Sequence, residues 1–380
     1  MIYLDNAATT PIEPLATEYM HYISVCGNPS SIHHMGKNGR KLIDATKEFM
    51  KAYFNASDGD IVFTSGGTEA NNIALLGIAD HLKKTGKTTI ITSKIEHLSV
   101  LNVCKELEAR GFHVIYMPVC YDGRIDIEEL DKIMCQNHET LGMVSIQSIN
   151  SEIGTRQNIE DIGFLCDEHG VIFHTDAVQA VGQMKIDIDK CHIDMMSISG
   201  HKIGASMGIG ALYVRNKAVL SPIMFGGGQE YGLRSGTENL IGISAMAGAF
   251  DNLHRNFYKN QETVARLKAY MIQKIDEYMT IPYYVNCLDS SNHIISLTIP
   301  KVEGNSLMLM LNENGVCVST GSACSSNKLE ASYVLKAIGV DEHEAICTIR
   351  ISLSHHNLKD EVEFTARKIG ELSKKLYELR

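Results

Sequence analysis

A lysine that closes a short apolar run is placed to do chemistry that a solvated lysine cannot. Met196-Ser197-Ile198-Ser199 reads as a strand ending in Gly200-His201-Lys202, and a glycine-punctuated loop follows to Gly210. The Lys202 amine then sits at the rim of a sheet, where partial desolvation lowers its basicity and suits it to Schiff-base formation and proton transfer. A solvated loop lysine is the ordinary alternative. Ser65-Gly66-Gly67-Thr68 passes straight from an apolar run into a helix. Glycines there let the backbone approach a ligand, and the N–H groups of a helix start favour a phosphate. A simple turn with an N-cap has the same pattern, and neither the Walker nor the dinucleotide fingerprint is matched. The run 171–174 leads into His174-Thr175-Asp176-Ala177-Val178-Gln179, which puts a carboxylate at a strand end. That charge needs a partner, either a protein Arg or Lys or the protonated nitrogen of a pyridine ring. Glu96-His97 opens another helix, and by itself His97 reads as a capping or packing residue.

The elements that must position these groups follow from periodicity. Apolar runs at 61–64, 89–93, 113–119, 143–149, 171–174, 195–198 and 209–214 read as strands, and amphipathic stretches at 69–83, 97–110 and 158–169 separate most of them. This alternation predicts an α/β fold with one mostly parallel seven-stranded sheet covered by helices on both faces, and in such sheets sites lie at the carboxyl ends of the strands. Beyond about residue 255 the pattern changes to a charged helix over 256–279, strands at 294–299, 316–318 and 349–353, and a helix near 304–314, an α+β arrangement. We expect a large domain over 12–255 and a smaller one from 1–11 with 256–380.

Composition narrows the classes of function. With 380 residues and 44% hydrophobic content the chain can bury a sizeable core, and its net charge of -10 argues against nucleic acid or an anionic membrane as main partner. The first residues lack a signal-peptide pattern and no apolar run is long enough to span a bilayer, so a cytoplasmic protein is expected. The ten cysteines include no Cys-x-x-Cys, which fits thiols in a reducing compartment. His33-His34 and His355-His356 are adjacent pairs without a zinc-site helix spacing, so no metal site is expected. Cys317, on the run before Ser319, reads as core.

A phosphate seat, an Asp on a middle strand and a Lys at the end of the next are the three things a pyridoxal 5'-phosphate (PLP) site requires, the Asp keeping the ring cationic and therefore electron-withdrawing. Beyond that logic the chain resembles the NifS/IscS-type cysteine desulfurases, PLP enzymes of fold type I in the class V aminotransferase group. The resemblance runs from Tyr3-Leu4-Asp5-Asn6-Ala7-Ala8-Thr9-Thr10 to Arg350-Ile351-Ser352-Leu353. It is carried by Gly27-Asn28-Pro29-Ser30-Ser31, Ser65 to Asn72, Glu96-His97, Thr175 to Gln179, Ser199 to Lys202, Arg234-Ser235-Gly236-Thr237-Glu238-Asn239, and Ser319 to Ser326. It implies that Lys202 is the Schiff-base lysine, that Asp176 pairs with the pyridinium nitrogen and that Gln179 reaches the phenolic oxygen. His97 is implied to stack on the ring and move protons. Gly67, Thr68, Ser199 and His201 are implied to hold the phosphate, with Thr237 reaching the phosphate of a neighbouring subunit in a homodimer. Arg350 is implied to take the substrate carboxylate and Cys324 to be the sulfur-accepting nucleophile, a role that its Ser, Gly and Ala surroundings suit.

The implied reaction removes sulfur from L-cysteine, leaves L-alanine, and passes an enzyme persulfide to an acceptor protein such as an iron-sulfur scaffold or a tRNA-thiolation enzyme. In one place the chain departs from the family, with Asn150-Ser151-Glu152 where members usually have Asn-Asn-Glu. The second Asn is the one expected on the phenolic oxygen, and a serine hydroxyl is shorter but can donate. A selenocysteine lyase or another class V aminotransferase would share Lys202 and Asp176 without requiring Cys324, and an inactive scaffold for sulfur-relay proteins is the reading from outside enzymology.

Overall fold

The computed structural model describes residues 1–321 and 331–379. Strand β1 is Ile2–Tyr3, short because Leu4 already turns into a core. The seven expected apolar runs all form strands: β2 (Asp60–Thr64), β3 (Thr89–Ser93), β4 (His113–Met117), β5 (Leu141–Ser145), β6 (Ile172–Asp176), β7 (Met195–Ser199) and β8 (Gly210–Val214). They join in one sheet in the order β2-β8-β7-β6-β5-β3-β4. Only β8 runs against its neighbours, because the loop from Gly200 to Ile209 turns straight back instead of crossing over through a helix. The other strands therefore send their carboxyl ends to one edge.

Both faces are covered, which is why the strands are apolar throughout. Alternation along β2 sends Ile61 and Phe63 into a core with the helices His34–Tyr53, Ile127–Gln136, Ile159–Glu168 and the first part of Leu240–Tyr278. Val62 faces the other way, toward the helices Gly67–Gly77, Ala79–Lys84 and Leu98–Ala109. The helix expected over 69–83 is broken at Ile78 because the Gly77 carbonyl accepts from the Ser221 backbone N–H at 2.8 Å, a partner from outside the helix. The helix expected from 256 starts instead at Leu240. Its first turns, Gly242 to Leu253, are buried all round, so no polar face betrays the helical period there.

A second sheet is antiparallel, in the order β12-β10-β9, from β9 (Tyr284–Asn286), β10 (Ile294–Thr298) and β12 (Thr348–Ser352); β11 (Val316–Cys317) pairs with β1 in parallel. Three-residue β9 is too short to show a pattern in sequence. Leu4, Leu267, Met271, Leu297, Ile351 and Ile369 form the core beside this sheet. Cys317 is not in it: Val316 and Val318 are buried, and the period of two turns Cys317 to a half-exposed position.

Candidate active site

Six parallel strands end on the same edge, and five of them, β2, β3, β5, β6 and β7, are followed by residues of interest. After β2, Ser65-Gly66 leads into the helix that starts at Gly67, and that start carries no side-chain cap. A Cβ on Gly67 would lie 2.5 Å from Val178 Cγ2 and 3.5 Å from Ser199 Cβ, so glycine is what lets the helix start close down on the ends of β6 and β7. A Cβ on Gly210, the first residue of β8, would likewise meet Gly66 Cα at 2.5 Å. Thr68 is exposed at this helix start and Ser199 is buried beneath it. Uncapped N–H groups, a favourable dipole and a flanking hydroxyl suit an anion.

Asp176 ends β6 and is 6% exposed. Among the described residues it has no ion pair, so the protein salt bridge left open by the sequence is not what holds it. Val178 N–H donates to its Oδ1 at 2.9 Å and the Asn71 side-chain amide donates to its Oδ2 at 2.7 Å. A buried carboxylate held by neutral donors is free to meet a cation from a ligand. The same Asn71 Nδ2 donates to Ser99 Oγ at 2.8 Å, and Ser99 Oγ lies 2.7 Å from His97 Nδ1. A continuous hydrogen-bonded chain thus joins Asp176 to His97. His97 is the N-cap of Leu98–Ala109: its Nδ1 accepts from Ser99 N–H at 3.1 Å, which puts the proton of the neutral ring on Nε2, and the ring is exposed. One side chain thus caps the helix and also ends the hydrogen-bonded chain from Asp176.

Lys202 lies in the single 3-10 turn after β7 and donates to the backbone carbonyls of Ala7 and Ala8, the latter at 2.7 Å. Gln179 Nε2 donates to the same Ala7 carbonyl at 2.8 Å, and its Oε1 lies 3.2 Å from His293 Nε2. Asn6-Ala7-Ala8 is therefore the surface on which Lys202 and Gln179 are positioned. His201 lies 3.2 Å from Thr9 Oγ1, and burial, with the Lys202 ammonium beside it, pushes its imidazole down to about 4, leaving it neutral at pH 7.

From β12, Arg350 is 7% exposed; it donates to the Ser151 carbonyl at 2.9 Å and pairs with Asp5 at 2.8 Å. Its Nε is buried with no partner among the described residues. Glu152 beside it is buried, accepts from Ser332, and burial pushes its carboxyl up to about 7. Burial likewise raises Glu96, fully enclosed next to His97, to about 8. Thr237 is exposed, away from these contacts. Cys324 lies outside the described residues.

Sequence reading passed over Asn71 and Ser99 as single residues, and Asp5 as the partner of Arg350. Asn71 was legible in principle: Gly67, Ala70, Asn71 and Ala74 share one helical face, and that face is the buried one, whereas Asn72 turns back to the Thr68 carbonyl. Asp5 had no such signal, since 345 residues separate it from Arg350.

Taken with the fold, these strand ends define a class of protein: the chain belongs to the aminotransferase class-V family, whose model matches residues 2–364. Within it, the relatives are narrower. A cysteine desulfurase IscS of Dictyoglomus turgidum is 39% identical over 379 residues, 99% of this chain and 95% of that one. Among solved structures, a NifS-like protein superposes with a TM-score of 0.90 at 32% identity, over 98% of this chain and 99% of that chain. A structure described as SspA in complex with cysteine gives a TM-score of 0.82 at 35% identity over 94% and 100%. The architecture is the PLP fold type I of these neighbours.

Proposed function

We propose that the chain is a PLP-dependent cysteine desulfurase, which removes sulfur from L-cysteine to leave L-alanine and carries the sulfur as a persulfide. The observation that supports it most is Asp176, a buried carboxylate with only neutral donors, held between an uncapped glycine helix start and the Lys202 turn. When bound there, PLP supplies an electron sink for carbanion chemistry at the substrate Cα.

The chain's own residues divide the remaining work. The backbone at Gly67, with Thr68, Ser199 and neutral His201, seats the phosphate, and Asp176 keeps a proton on the ring nitrogen. Gln179 still has one amide hydrogen to offer the phenolic oxygen, with the Ser151 hydroxyl where the family usually has Asn. Lys202 would hold the cofactor, and its amine would serve as the base for the substrate Cα proton. His97 covers the ring and moves protons at Nε2, its other nitrogen being tied to Ser99. Arg350 takes the substrate carboxylate through its fork of donors. The Cys324 thiolate would attack the substrate sulfur, forming an S–S bond as the C–S bond breaks with its electron pair left on the carbon side, and Cβ and then Cα each take a proton, the latter returned by Lys202, to give alanine.

Thr237, exposed on this chain, is assigned to the phosphate of a second subunit in a homodimer. We assign 12–255 to the cofactor domain and 1–11 with 256–380 to the smaller one, and we place the protein in the cytoplasm, where an iron-sulfur scaffold or tRNA-thiolation protein accepts the sulfur. No helix of the described residues is long and apolar enough to cross a membrane.

The test is direct. Purified protein is expected to be yellow and to release alanine and sulfide from cysteine plus a reductant, the colour changing in Lys202→Ala. Cys324→Ala should abolish sulfide release from cysteine. Undiminished release in that variant overturns the persulfide step and favours a class V enzyme that does not require Cys324.

A further inference from the structure

The sequence offered no metal site because His355-His356 are adjacent and lack the helix spacing of a zinc site. Folding supplies a third ligand from the other end. Glu13 lies 343 positions before His356, and its Oε1 is 3.1 Å from His356 Nε2 and 3.2 Å from His355 Nε2. All three potential ligand atoms lie within 4.8 Å of one another.

We infer that Glu13, His355 and His356 form a binding site for a divalent transition-metal ion of the zinc class. Tetrahedral coordination with metal-ligand bonds of about 2.0–2.1 Å puts neighbouring ligand atoms about 3.3 Å apart, close to the two edges observed. Two imidazole nitrogens and one carboxylate oxygen are a donor set that zinc, cobalt and nickel accept and that magnesium and calcium do not favour.

The ligands are held in place independently of any ion. Glu13 is 8% exposed at its side chain, and its backbone N–H donates to the Gly204 carbonyl at 2.8 Å. Gly204 has φ +82°, and a Cβ there would lie 2.4 Å from Glu13 Cγ, so only glycine leaves the carboxylate room to stand where it does. The two imidazoles lie beside each other with ring centres 4.0 Å apart. Their side chains are 27% and 37% exposed, which leaves an approach for the ion from solvent.

All three side chains line a cavity of about 50 Å³ that also reaches Asn6, Thr10 and Lys202. That is room for a water to complete the coordination, with polar groups to hold it. Each imidazole enters as the neutral ring. An ion here would tie the segment before Pro14 to the turn between β12 and the helix Lys359–Glu378. None of its three protein ligands is a group assigned to the reaction.

The test uses PLP-loaded protein with Cys324→Ala as background, so that its thiol takes no metal. After chelator treatment and desalting, Co²⁺ titration should saturate at one equivalent per chain with visible d–d absorption, and Zn²⁺ should bleach it. Adding His355→Ala and His356→Ala should abolish that absorption. Glu13→Gln keeps an acceptor for the imidazoles but loses the charge, so it should weaken Co²⁺ binding at least tenfold while the circular dichroism spectrum is unchanged. Zn²⁺ should raise the Tm of the background protein and not of the histidine double variant. Equal Co²⁺ binding with and without the two histidines, unchanged affinity in Glu13→Gln, or no stoichiometric binding at all overturns the site.

Discussion

The amide of Asn71 spends both its hydrogens on the site, one on Asp176 and one on Ser99, whose hydroxyl meets His97. A hydrogen bond to a charged partner is worth about 1.5–3 kcal/mol, so Asn71→Ala is expected to lower turnover by roughly 10- to 100-fold. Because it acts on the carboxylate proposed to meet the ring nitrogen, the variant should also shift the visible absorption of the bound cofactor, which a purely structural loss would not. Asn71→Asp sets a second negative charge beside Asp176 and should be worse than alanine, the measurement being cofactor retention after dialysis.

At the scale of elements, the start of the helix Gly67–Gly77 is held against the loop after β6 by the absence of one methyl group. Gly67→Ala meets Val178 Cγ2 at 2.5 Å, a contact that backbone or side chain must yield to. Such overpacking costs about 1–3 kcal/mol, and here it pushes apart the anion seat and the Asp176 strand. Reduced cofactor affinity is the expected outcome, and Val178→Ala in the same chain should restore much of it. In β6, His174 is fully buried between Ser145 of β5 and Ser197 of β7, at 2.9 and 3.0 Å. Burial pushes its imidazole down to about 3. The unfolded chain therefore binds a proton near pH 6.5 that the folded sheet refuses, and this share of the stability, present above pH 6.5, is lost as the pH falls toward 3. His174→Leu should flatten the stability profile over that window in denaturant titrations, while costing about 1–3 kcal/mol at pH 7 for the two serine hydroxyls left unpaired.

Across the whole molecule, Arg350 joins segments that are far apart in the chain. It belongs to β12, pairs with Asp5 after β1, and donates to Ser151 after β5. Its buried Nε has no partner among the described residues, so these two bonds do not exhaust its donors. Arg350→Lys keeps the charge but not the planar fork, and is expected to raise KM for cysteine by roughly 10- to 100-fold with a smaller change in kcat, since lysine cannot bind a carboxylate bidentately. The same variant should lower the Tm modestly because the carbonyl of Ser151 loses its donor. A fall in kcat with KM unchanged would place Arg350 outside substrate binding.

The strand and helix alternation, the edge on which the site stands, and Lys202, Asp176 and the glycine helix start were legible because each depends on local chain chemistry. A run of apolar residues, a glycine and a strand end are all written within a few positions of one another. The burial that hid the first turns of Leu240–Tyr278 and the outward turn of Cys317 were less so, since both depend on what packs alongside. What only the tertiary structure decided are the pairings between residues far apart in the chain: Asp176 with Asn71, Arg350 with Asp5, Lys202 with the Ala7 and Ala8 carbonyls, and Glu13 with His355 and His356. The physical reason is that a polar side chain's partner is set by which strand ends and loops the core brings together. Nothing in the spacing of the residues themselves encodes that distance.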